Sequence, residues 1–511
     1  MICLMDTMGL ALWDLYENQK VKGLTAAMRK TLSKIEKSGQ ADHRWFNAMG
    51  ELALHEKSHQ LAARFFKQAM DEKPLAEYEL NLGNALFYAG DFQGAKSRLS
   101  AYLAKHPTDV HGLIDLANCH LQLRELGKVK DLCRTGLEQK TAKAPLLNCL
   151  GHVAFLEGNH KQAWDYFDRA YAEAPEYTDS LFNRANTAYC LGRMEEALND
   201  FALCVRKDEN YEAALLNIAI VRLELGQLAE GRETIAQVLK LNPDLVEAYH
   251  LLGRLCLAGN EFRGARDAFR NALKRDEDHI PTLLALAKLH IQEMEQDEAG
   301  TVLKRLLAKP GIGAEETLAT LTLLMEMGEH TQCVQYLQRT EVAAQDVALR
   351  KLLVLGLWKM GKTKEAIGQL ETLLGVEGET PDTLTMLGRM LLQSGAETLA
   401  VARYQKALDL EPAAQGAGFE LARIHLGRGE GDKALAVLEK LRDALPDDPD
   451  CLYNLACCHA RNRNFDDSLH YLKQALDKGF RDLDKINTDD DLAGIRQLKE
   501  YNQLAGQSGL I

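Results

Sequence analysis

Asparagine returns along this 511-residue chain at a spacing that could do chemistry. Asn81, Asn183, Asn217 and Asn454 share one place in a repeated unit, and Asp115 and Cys149 fill it in between. Three residues further on, Asn84, Asn118 and Asn186 make a second set. A carboxamide carries a donor and an acceptor together, so it can pair with both backbone groups of an extended peptide. Helix propensity offers no reason for asparagine, so its return on one face needs another. The competing reading is an amide that is solvated or bonded to a neighbouring helix. Toward the other end the place of Asn84 is taken by Arg254, Lys288, Arg389 and Arg423, a row of cations that would attract an acidic segment of a partner. On a solvated face such charges need no partner at all.

Two other chemistries fail on context. LGNALFYAGDFQGA at 82–95 holds three glycines, but a phosphate-binding loop follows a strand, and no strand pattern precedes it. GIGAEE at 311–316 and GRGEGD at 427–432 fail for the same reason. Cys451, Cys457, Cys458, His459 and His470 cluster near the end without zinc spacing. Adjacent cysteines on one helix point in different directions, so buried apolar thiols are the expectation there. No nucleophile–base arrangement is identifiable, so the expectation is no enzyme, no metal and no cofactor.

The elements that position these residues come from a repeat. A small residue stands at Gly50, Gly83, Ala117, Gly151, Ala185, Ala219, Gly253, Ala287, Gly388, Ala422 and Ala456, in register at steps of 33 or 34 residues, with Leu321 and Val354 in the two remaining slots. Twelve residues later comes a second small residue, as in Ala62, Ala95, Ala163 and Ala265, with Val129 as the exception. One turn beyond sits a larger apolar side chain such as Phe66, Phe167, Phe201, Phe269 or Tyr404, on the same helix face. Each unit therefore reads as two amphipathic helices joined by a short turn, often with glycine (Gly90, Gly158, Gly192, Gly226, Gly395, Gly429) to accept a left-handed conformation. The eleven prolines fall near unit boundaries, which helix interiors would require.

Leu147, Leu150, Gly151, Ala163, Phe167, Ala170 and Pro175 make one full match to the pattern of the tetratricopeptide repeat (TPR) family, which the chain resembles over about residues 43–482. The resemblance implies an all-α fold, a right-handed α-solenoid of thirteen helix-turn-helix units whose first helices line a concave surface. It also implies a protein-binding role, without naming the partner. Asparagine at the sixth place of the unit resembles the ladder in the repeats of O-linked N-acetylglucosamine transferase, which implies peptide capture and not sugar transfer. The carboxylate clamp of heat-shock co-chaperones is similar in using Lys and Asn, but Asn47 stands where its first Lys belongs, so that function is not carried over.

Composition sets the class. The 74 acidic residues outnumber 61 basic ones, a net charge of −13 that opposes general attraction to nucleic acid or anionic lipid. Eleven scattered cysteines suit a reducing compartment. With no long apolar run and no secretory signal pattern, the expectation is a cytoplasmic protein.

The expected organisation is an N-terminal helical cap at 1–42, repeats 1–8 at 43–309, irregular repeats 9–10 at 310–380, repeats 11–13 at 381–482 and a capping segment at 483–511, where Thr488 or an adjacent Asp suits a helix N-cap. Bulky Leu321 and Val354 make the irregular stretch either a bend or two degenerate repeats. The function expected is a scaffold or adaptor holding an extended segment of a protein partner in the concave groove. The alternatives are a structural subunit that self-associates through its convex face and ends, and a regulatory subunit of a separately encoded enzyme.

Overall fold

The structure is a computed structural model and describes residues 12–20, 22–39, 41–139, 143–340 and 346–508. Among the described residues the regular elements are all helical. Thirteen consecutive pairs run from His43–His55 with His59–Glu72 to Pro449–Arg461 with Phe465–Asp477. The chain divides into two compact units, Met1–Glu277 with seven of the pairs and Asp278–Ile511 with six.

The small residues work as the repeat requires, because each lies where the two helices of a pair cross. A side chain on Gly151 would place its Cβ 2.5 Å from the ring of Phe167, on Gly50 2.6 Å from Phe66, and on Gly388 2.5 Å from Tyr404. Gly253 meets Phe269 in the same way, and Gly83 meets Leu99 at 2.7 Å. At these glycines a side chain would compete with the facing group for one space, since a close-packed interior leaves no room for both, while Ala185 is accommodated against Phe201 at the equivalent crossing. Alanine also serves at the crossing: Ala219 with Ile235, Ala287 with Leu303 and Ala422 with Leu438 are all buried. Leu321 and Val354 are buried in the same slots.

The turns hold a feature that composition hides. Between the helices of every pair one residue has a positive φ, and only eight of the thirteen are glycine: Gly90, Gly158, Gly192, Gly226, Gly328, Gly361, Gly395 and Gly429. Lys57, Arg124, Asn260, Met294 and Arg463 occupy the other five, with φ between 57° and 61°. Closing the pair dictates the left-handed backbone, whatever residue is present. Met294→Gly should therefore stabilise its pair by about 0.5–1 kcal/mol, since relief of the left-handed strain exceeds the added flexibility of the unfolded chain. Thermal unfolding is the check, and an unchanged or lowered midpoint would count against strain at this turn.

Further helices pack against the first and the last pair. In the first unit, residues 12–20 are helical and Thr25–Lys37 follows. Tyr16, Met28, Leu32 and Ile35 pack on Trp45, Ala48 and Leu52 of the first repeat, and Trp45 Nε1 donates to Leu32 O at 2.9 Å. In the second unit, Leu483–Thr488, a 3-10 turn at Asp490–Leu492 and Lys499–Ser508 close the array. Thr488 is not an N-cap: it ends its helix, its hydroxyl donating to Asp484 O at 2.8 Å. Asp482 caps that helix and Asp489 caps the 3-10 turn, because an aspartate accepts from backbone N–H groups at the point where the chain enters a helix.

Candidate functional site

The asparagines of the first unit lie on successive first helices, and the structure shows what their amides touch. Asn81 Nδ2 donates to Asn47 Oδ1 at 3.0 Å, joining repeats 1 and 2. Asn84 lies close enough to Asp115 to favour its carboxylate form, linking 2 and 3. Cys149 Sγ donates to Asn118 Oδ1 at 3.4 Å, joining 3 and 4. Asn183 Nδ2 donates to both Asn148 Oδ1 at 3.0 Å and His152 Nε2 at 3.1 Å, joining 4 and 5. Asn217 Nδ2 donates to Asn186 Oδ1 at 2.8 Å, joining 5 and 6. The residues therefore form a polar seam that ties each first helix to the next.

The seam does not exhaust the amides. An amide nitrogen has two N–H groups and its oxygen two lone pairs. Asn81 and Asn217 each use one N–H here, whereas Asn183 uses both and keeps its oxygen. All three are half-buried, so the spare groups reach the surface of the face. Sequence reasoning missed Asn47, Asn148 and His152, three of the acceptors of the seam. Asn47 and Asn148 stand one place before the counted position on the same helix face, and that neighbouring column was the signal available.

Burial tunes the titratable members. It pushes the Asp115 carboxyl above its usual range despite the opposing influence of Asn84. It lowers the pKa of His152, which favours the neutral ring whose bare Nε2 accepts from Asn183. The Cys149 thiol is held well above its ordinary value by a hydrogen bond with Cys133 and by burial, so it is an inert member of the seam. Of the aromatics beside the seam, Tyr88 is exposed and stacks on His59, while Phe182 turns inward against Phe201 and Tyr211. Phe87, Phe155 and Tyr189 are half-buried.

The cations are exposed but not all free. Arg254 in the first unit approaches Glu224 at 3.8 Å. In the second unit Arg389 and Arg423 share Glu420, at 3.7 and 2.7 Å. Lys288 has no ion-pair partner among the described residues. Asn454 Nδ2 donates to Asp450 O at 2.7 Å within its own helix. The nearby thiols diverge: Cys451 Sγ turns to Leu438 O, Cys458 Sγ to Gly431 O and Cys457 Sγ to Asp489. Among the described residues no group of three His, Cys, Asp or Glu side chains is placed to hold a metal ion, and no helix is long and apolar enough to cross a membrane.

Comparison with known proteins bears on the repeats. Residues 391–456 match one sequence model described as a tetratricopeptide repeat, and residues 80–128, 216–280 and 352–417 match another. Protein O-mannosyl-transferase TMTC3 of Homo sapiens is 24% identical over 331 residues, 62% of this chain and 33% of the relative. Protein CTR9 homolog of Arabidopsis thaliana is 23% identical over 347 residues, 64% of this chain and 32% of the relative. The chain thus spans about a third of the length of these curated relatives. Among solved structures, YrrB, described as a TPR protein with an unusual peptide-binding site, is 21% identical with a TM-score of 0.32, covering 37% of this chain and 96% of its own.

Proposed function

The chain is a tetratricopeptide repeat protein, a scaffold for protein interactions, and from that premise we propose that it holds an extended segment of a partner along the asparagine face of its first unit. The observation that carries this reading is the spare hydrogen-bonding capacity of the seam: half-buried amides at Asn81, Asn183 and Asn217, each held in place by the neighbouring helix. A group already positioned by one bond loses little freedom in making a second, so the seam preorganises the face for a peptide backbone. An acidic stretch in the partner would have to displace Glu224 or Glu420 from Arg254, Arg389 and Arg423, which leaves Lys288 as the open contact of that row. The ten described cysteines are all free thiols, which supports a reducing compartment such as the cytoplasm.

The test is a peptide selected against the whole protein from a random display library, then titrated by fluorescence anisotropy. Asn81→Ala/Asn183→Ala/Asn217→Ala should weaken it by roughly tenfold or more, from three hydrogen bonds of about 0.5–1.5 kcal/mol each. Circular dichroism and the urea midpoint of the variant separate a lost contact from a lost fold. Unchanged affinity with the fold intact would remove the asparagine face from the reading.

A further inference from the structure

The first repeat departs from the later ones where its helices turn. Two residues after the second small residue it carries Arg64, a place where no later repeat has Lys or Arg and four have an acid, Asp131, Asp165, Glu233 and Asp267. One residue before that small residue stands Leu61, where Glu196, Glu230, Glu298, Glu365 and Asp467 stand later. Lys57 takes the left-handed turn position that is glycine in eight repeats. In the second repeat Tyr88 follows the first small residue by five places, and no other repeat has an aromatic residue there.

These residues line one hollow of about 510 Å³, formed by the turn and second helix of the first repeat and the end of the first helix of the second. Tyr88 is 63% exposed and stacks on His59, with ring centroids 5.5 Å apart, and Leu61 is 44% exposed. Lys57 and Arg64 are exposed and have no ion-pair partner among the described residues. None of the lining residues is acidic. The carboxylate next along the chain, Glu56, is taken by Arg29, and Asp91 is occupied in capping its own helix, accepting from Gly94 N at 2.9 Å.

We propose that this hollow binds an acidic segment of a partner protein that carries an aromatic side chain among its carboxylates. Exposed apolar side chains that share one concavity and are rimmed by polar groups mark an interaction site. The charge selects the occupant. Two unpaired cations with no carboxylate in the lining form a local positive site on a chain of net charge −13, and such a site attracts an acidic segment and repels a basic one. The segment's ring would rest against Tyr88 and Leu61, taking both from water, while its carboxylates reach Lys57 and Arg64. None of Asn81, Asn183 and Asn217 lines the hollow, so the site stands independently of peptide capture on the asparagine face.

Fluorescence anisotropy of the full chain with the labelled hexapeptide EEDFDE tests it. The wild type is expected to bind saturably, and more weakly as salt rises. Tyr88→Ala should weaken binding about tenfold, and Arg64→Gln about two- to fivefold, as for an exposed charge pair. Lys57→Gly separates binding from folding: glycine relieves the left-handed turn, so the urea midpoint should hold or rise while the peptide binds less tightly. The peptide EEDADE should lose as much as Tyr88→Ala does, and Asn81→Ala/Asn183→Ala/Asn217→Ala should bind EEDFDE as the wild type does. A wild type that does not bind EEDFDE overturns the proposal, and so does binding indifferent to Tyr88, Arg64 and Lys57. Displacement of the peptide by an equal concentration of inorganic phosphate would show a bare anion site and overturn it too. Loss of EEDFDE binding in the asparagine variant alone would move the peptide to that face, against this proposal and in favour of the other.

Discussion

Gly151→Leu is expected to lower the stability of the first unit by about 3 kcal/mol, at the upper end for overpacking, because even a methyl group there meets a buried ring. The Cβ would lie 2.5–2.8 Å from three atoms of the Phe167 ring, which is itself buried between the paired helices Lys143–Leu156 and His160–Glu173. Glu157→Gln nearby removes an ion pair with Lys130 that reaches solvent, and should change stability by no more than about 0.5 kcal/mol. A coupled pair sharpens the result. Gly151→Ala should be costly alone but cheaper in a Phe167→Leu background, which recreates the alanine–leucine crossing of Ala287 and Leu303, with a coupling of about 1 kcal/mol. Urea unfolding of the four proteins measures it. Additive effects would show that the ring is not what excludes a side chain at Gly151.

Deleting residues 483–511 should melt the last repeat. That segment buries Ile486, Leu492 and Ile495 completely against Leu452, Tyr453, Ala456 and Cys457. At about 1.5–3 kcal/mol for each fully buried aliphatic side chain, its removal costs roughly 5 kcal/mol or more of apolar burial alone. Polar ties go with it: Tyr453 donates to Asp489 Oδ2 at 2.7 Å, and Arg461 pairs with Asp491 at 3.0 Å. The Tyr453 ring also stacks on Phe480 at 4.3 Å, and that contact, outside the deletion, would lose its cover. A stacked array frays from an uncovered end, so hydrogen exchange should show lost protection in Pro449–Arg461 and Phe465–Asp477 while the repeats before them keep theirs. Full protection of those two helices in the truncated chain would mean that the segment is an appendage and not a cover.

The repeat itself was legible because packing leaves the same mark every time. A crossing such as Gly151 with Phe167 admits only small residues on one helix, so the period can be read from Gly and Ala without knowing the fold. Thirteen pairs stand where that period places them. The turns were only half legible. Gly158 announces a left-handed residue, but Arg124 and Met294 adopt the same backbone because closure of their helix pair demands it, and a side chain that merely tolerates a strained φ leaves no trace in the sequence. The face of the first helices was legible as a column of asparagines and illegible as a seam. Which amide meets which depends on the distance between adjacent helices, and that distance is set by side chains elsewhere in the crossing.

The same limit explains Arg389, whose partner Glu420 comes from the next repeat, whereas Arg423 pairs with that carboxylate three residues earlier on its own helix. The sequence by itself determined the period, the helix pairs and the small residues at their crossings, because these are local demands repeated in every unit. The tertiary structure alone decided the partners of Asn81, Asn183 and Asn217, the five left-handed turns without glycine, and the stacking of Tyr88 on His59. The turns follow from closure of each helix pair, and the others from how neighbouring repeats stack, a relation between residues some 34 apart that composition and propensity do not encode.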